Sequence, residues 1–158
     1  MVNLLEILPY TIPKIVKSKI MFDEIKKYKN NGHFFFKKGD NLKQVSKGVP
    51  DLPGIYYIVR LSNGRIELVY ISKSGTVQQN GQFKDQGLHN WLNNKQEGIQ
   101  RQDFFESQIL KEHIDALDIY WFVTFDTKSK DIPGFVEGLL IQRFFEIHGR
   151  LPLWNKDF

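Results

Sequence analysis

The 158-residue chain contains no cysteine. That absence removes disulfides, thiolate nucleophiles and thiolate-bound zinc together, and it suits a reducing cytoplasm. No run approaches the roughly 20 apolar residues that a membrane span needs, so no membrane association is expected. Residues 1–9 lack a basic start and carry Glu6 and Pro9 among their apolar positions, unlike a secretory leader. Histidines are few, and His33, His89, His113 and His148 show no paired metal-ligand spacing. Internal repeats and low-complexity tracts are missing too. The stretch from Ser72 to Thr76 lacks the leading glycine of a nucleotide-binding loop.

What is present, 41% hydrophobic and 25% charged residues, is the composition of a globular protein of one domain. The net charge of +4 is unevenly spread. Residues 1–50 hold ten lysines against four acids, while the remainder holds 12 basic against 14 acidic residues. A basic first third is either a lysine-rich solvated face or a surface for phosphates, whose neutralisation releases counterions from nucleic acid.

Two β-rich runs flank Asn63-Gly64, from Pro53 to Arg60 and from Ile66 to Thr76. Asn-Gly supplies the positive φ of a type I′ turn at both central positions, so a β-hairpin is predicted. Around it the spacing predicts an amphipathic helix over 11–29, a short strand over 33–37 and a loop over 75–87. Helices follow over 83–94 and 103–113, then a strand over 119–125 and a helix over 133–148 stopped by Gly149. The aromatic tail, residues 150–158, is expected to dock. The sum is an α+β fold: a largely antiparallel three-stranded sheet flanked by helices, with residues 1–50 as a basic extension packed on a core of residues 51–158.

The last predicted helix holds Glu137 one position off its apolar stripe, followed by Gly138. A glycine inside a helix costs about 1 kcal/mol against alanine, so a close approach by the sheet or a ligand is expected there. Glu137 reads either as a first-turn acid favoured by the helix dipole or as a functional carboxylate. Taken with the hairpin, these residues resemble the GIY-YIG nuclease superfamily. Gly54-Ile55-Tyr56 matches the first signature and Tyr70-Ile71-Ser72 with Lys73 the second, Glu137 matches the helix carboxylate, and Leu151-Pro152-Leu153-Trp154-Asn155 the late segment. The four elements come in the superfamily's order, and the length and lysine-rich leader look most like its compact restriction endonucleases.

The resemblance implies metal-dependent hydrolysis of DNA phosphodiester bonds, with Mg²⁺ or Mn²⁺ on Glu137 and Tyr56 activating the attacking water. A phenol has a reference pKa near 10, so such a role demands a neighbouring cation, for which Lys73 is the candidate. Tyr70 and Asn155 would orient phosphate, water and Glu137. Double-stranded DNA is the implied partner and a homodimer the arrangement that cuts both strands. The chain departs from the pattern at Ser72, where the superfamily has glycine. It also has no arginine between Arg65 and Arg101 to clamp the scissile phosphate, which leaves His89, or else Lys84, as substitute. Two functions therefore stand: a restriction-like endonuclease, or a catalytically impaired relative acting as a DNA-binding or interaction module.

Overall fold

A computed structural model describes residues 22–84 and 87–158. In chain order these form β1 (Asn31–Phe36), α1 (Leu42–Val45), β2 (Gly54–Ser62), β3 (Arg65–Ser74), β4 (Thr76–Val77) and β5 (Phe83–Lys84). Then come α2 (Leu88–Leu92), β6 (Lys95–Gln96), β7 (Ile99–Gln100), α3 (Arg101–Glu112), β8 (Ala116–Val123) and α4 (Pro133–His148). Helices pack on an antiparallel sheet, so the class is α+β.

The predicted hairpin forms as its turn residues dictate. Asn63 and Gly64 take φ of 51° and 70°, and Ser62 pairs with Arg65. β8, apolar but for the buried Asp118, lies between β1 and β2, and the main sheet runs β1-β8-β2-β3. It therefore has four strands rather than three, because β1 hydrogen-bonds to the outer side of β8. Side chains alternate across each strand. Leu117, Ile119, Trp121 and Val123 enter a core shared with α2 and α3, whereas Phe122 enters one with Val136, Leu140 and Phe144 of α4. Gly54 is required where β2 and β8 meet, since a Cβ there would lie 2.0 Å from the Phe122 carbonyl oxygen.

Three expectations change. Phe83 and Lys84 pair with Val77 and Thr76 as a small ribbon, so residues 75–87 are not simply a loop and the helix expected from 83 begins at Leu88. The Phe83 ring packs on Phe125, 4.7 Å between centroids, and so does not serve the apolar side of a helix. Residues 11–21 of the predicted first helix lie outside the described residues. Beyond them only residues 22–23 are helical before a turn, and Ile25 and Tyr28 join the α4 core. At Gly138 the close neighbour is neither sheet nor ligand: a Cβ would meet the Phe158 ring at 3.5 Å, an ordinary contact. The end of α4 and the docking of the tail follow the sequence reading, with Gly149 at φ 67° and Trp154 buried.

Candidate functional site

The hairpin sends its site residues in two directions. Tyr56 and Ile58 face α2 and α3, while Ile55, Tyr57 and Ile71 face α4. A bulge decides which way Tyr70 goes: Ile58 pairs with Tyr70 and Val59 with Leu68, so Val69 is the extra residue. Without it Leu68 and Tyr70 would share a side. With it, Tyr70 packs on the Tyr56 side and Leu68 on the other.

On the tyrosine side stands Trp91 of α2. Its ring stacks on Tyr56 with centroids 4.3 Å apart and lies 6.0 Å from that of Tyr70. The Arg101 guanidinium carbon sits 3.2 Å from the same indole centroid. Two groups that close cannot share one face of a ring, so the indole separates Tyr56 from Arg101. Arg101, the first residue of α3, is 4% exposed. Its Nε donates to the Trp91 carbonyl at 3.1 Å and Nη1 donates to Gln96 Oε1 at 2.6 Å, with Tyr70 lining the same cleft. Among the described residues no carboxylate pairs with it. Burial pulls its pKa down to about 10 against the opposing pull of Tyr70 and Tyr56.

Tyr56 is fully buried, and its hydroxyl has no hydrogen-bond partner among the described residues. Burial raises its pKa well above the usual phenol range, more than the Arg101 charge lowers it. The cation that acts on this tyrosine is thus Arg101. Lys73 faces the other way, its chain passing 3.8 Å from where a Cβ of Gly134 in α4 would stand, and its Nζ reaches the Gly75 carbonyl at 3.4 Å.

Glu137 lies on α4 beside Lys73. Burial raises the pKa of its carboxyl, opposed by the Lys73 ammonium and by the Lys73 backbone N–H, which donates to it. Asn155 sits on the outer edge of β3, where its Oδ1 accepts from the Ile71 N–H at 3.0 Å and its Nδ2 donates to the Ile71 carbonyl at 2.8 Å. His89 is half-exposed on α2, and among the described residues no hydrogen bond or ion pair joins its ring to the tyrosines. The six residues expected from sequence therefore fall into a tyrosine pair, a Lys73–Glu137 pair on the α4 side, an edge clip at Asn155, and a separate His89.

Arg101 is what the sequence reading passes over. The resemblance looks for an arginine on the helix after the second signature, which the sequence reading places over 83–94. α2 has only five residues, so the first full-length helix after the hairpin is α3, and Arg101 opens it. Outside Arg101 lies an open cleft of about 380 Å³ lined by Tyr70, Lys95, Gln96, Asn155 and Lys156, among others. A larger hollow of about 500 Å³ near the hairpin turn is an ion-pair network of Arg60 with Glu67 and Glu112, remote in the strand from the tyrosines.

Among the described residues no three His, Asp or Glu side chains gather as a metal cage. Glu137 alone is the carboxylate that would hold a divalent ion. It fits the sparse site that Mg²⁺ accepts, one protein carboxylate completed by water and phosphate oxygens. Comparison of the chain with models of protein families, with curated proteins and with solved structures finds no match.

Proposed function

We propose that the chain is a metal-dependent, restriction-like endonuclease of the GIY-YIG type, acting on double-stranded DNA in the cytoplasm. The observation that carries this reading is Arg101, a buried guanidinium without a carboxylate partner among the described residues, set in the cleft with Tyr70 and across the Trp91 ring from Tyr56. A phosphate would supply the missing negative charge and match the planar fork of the guanidinium. Glu137 would hold Mg²⁺ or Mn²⁺, whose contribution when bound is to stabilise charge on the phosphate and the leaving oxygen. Tyr70 and Arg101 would orient the phosphate, and Lys73 would offset the Glu137 charge before the ion binds. A homodimer would present one such site to each strand.

The test is incubation of purified protein with mixed-sequence plasmid and Mg²⁺ or Mn²⁺. Cleavage is expected, lost in Glu137→Ala and in Arg101→Ala. Cleavage that survives Glu137→Ala would sink the reading.

One observation favours the second reading, a catalytically impaired DNA-binding or interaction module. Tyr56 is covered by Trp91 and has no exposed surface in this arrangement. That reading expects salt-sensitive DNA binding with no turnover.

A further inference from the structure

Trp91 has none of the roles given above, yet it touches each residue on the tyrosine side of the site. Its indole fills the space between Tyr56 and Arg101. Its Nε1–H donates to the Ser72 hydroxyl at 3.2 Å. Ser72 is the residue that stands where the second signature has glycine, and a glycine would offer no acceptor. We propose that Ser72 and Trp91 form a latch that holds the site closed, and that a phosphate-bearing strand lying in the cleft beside Arg101 reaches Tyr56 only when the indole swings outward. This deepens the nuclease reading and rests on it.

Three features carry the latch. The Tyr56 hydroxyl is buried and unpartnered, a condition that native structures rarely accept without a functional reason. Departure of the indole would let it meet water or substrate. Secondly, the indole covers one face of the Arg101 guanidinium and one face of the Tyr56 ring, so its departure would uncover both. Thirdly, the indole is buried with its helix and stacked on both sides, and its one directional polar tie is the bond to Ser72. Leu88 and Leu92 anchor α2 in the core, whereas the polar tie on the indole is one neutral hydrogen bond, and His89, Asn90 and Asn93 around it are half-exposed or exposed. The side chain can turn about its own bonds while the helix stays in place.

The chain has three tryptophans, so indole ¹H–¹⁵N spectra show three side-chain resonances, and Trp91→Phe identifies that of Trp91. With EDTA present to prevent cleavage, a short duplex of mixed sequence is titrated into the wild type and into Ser72→Ala. The latch expects the Trp91 resonance to shift and its N–H to exchange faster as the duplex binds. Ser72→Ala should show the faster exchange without DNA and bind the duplex about fivefold more tightly, the worth of one neutral hydrogen bond. Ser72→Thr, which keeps the hydroxyl, should behave as wild type, and adding Trp91→Phe to Ser72→Ala should give no further gain. Duplex binding that leaves the Trp91 resonance unmoved, with wild-type affinity in Ser72→Ala, overturns the latch and leaves the nuclease reading standing. Failure of both proteins to bind duplex at low salt overturns the nucleic-acid reading and the latch with it.

Discussion

Glu137 is a carboxyl group that folding holds against its preference for water, because burial outweighs the help of the Lys73 ammonium and backbone N–H. The sign of the resulting pH dependence follows from linkage. A pKa raised above its unfolded value means that the folded state binds the extra proton between the two values, so stability falls as pH rises through that window. Glu137→Gln removes the charge while keeping the shape. Its thermal midpoint at pH 7 is expected to exceed that of wild type, and the difference should fade as pH drops below the ordinary carboxylate range. The same variant should lose Mg²⁺-dependent cleavage by about a hundredfold or more. A gain in stability paired with a loss of activity marks a residue kept for function. Arg101 differs in that it also supports the fold, through hydrogen bonds and a stack on Trp91 that are all internal. A lysine reproduces neither the fork nor the stack, so Arg101→Lys should lower the unfolding free energy by about 2 kcal/mol in urea titrations.

β3 is an outer strand, and outer strands expose backbone groups that invite pairing with other chains. Here alternate residues along that edge are occupied. The Val69 carbonyl accepts from the Trp154 N–H at 2.8 Å, both backbone groups of Ile71 are taken by the Asn155 side chain, and the Lys73 N–H goes to Glu137. The docked tail and α4 thus finish the strand, and the one side chain that does so with two bonds is Asn155. Asn155→Ala should cost about 2 kcal/mol, near 1 kcal/mol for each bond lost, as read from urea unfolding. Light scattering should show self-association rising as the edge is bared. A cleavage defect that disappears when the variant is assayed at low temperature, where it is folded, would assign Asn155 to the scaffold rather than the chemistry.

At the scale of the whole molecule, the basic character of the leader is joined by lysines from far along the chain. Lys27, Lys29 and Lys128 line one hollow of about 430 Å³ at the end of the sheet where β8 finishes. The acids there are already engaged. Asp126 accepts from the N–H groups of Lys128 and Ser129, and Asp131 is held by Tyr28 and Lys27. That end of the sheet also carries the start of β2, two residues before Tyr56, because the Thr124 N–H bonds the Pro53 carbonyl. A duplex whose backbone crossed this end would have its phosphates met by lysines from both halves of the sequence. Each phosphate contact contributes about −0.9 to the slope of log K against log salt for B-DNA. Lys29→Ala with Lys128→Ala should therefore make that slope shallower by about 2 and weaken binding alike for unrelated sequences.

Much of this architecture is legible in the sequence wherever the determinant is local. Asn63-Gly64 specifies its turn because few residues tolerate positive φ there, the β-branched and aromatic run of β8 marks a strand covered on both faces, and Gly149 ends α4 for the same steric reason as the turn. The four-stranded sheet is only partly legible, since nothing in residues 31–36 says which strand they will pair with. The arrangement of the site is decided by tertiary structure alone. A single bulged residue, Val69, determines which side of the sheet Tyr70 takes. Arg101 reaches Tyr70 across 30 intervening residues only because α2 is short and the β6–β7 ribbon folds back. Ser72 reads along the chain as a flaw in a signature, and its meaning lies in an indole that no spacing rule would bring to it. Periodicity and φ preference are properties of neighbours along the chain. Which buried groups meet is settled only when all the elements pack against one another.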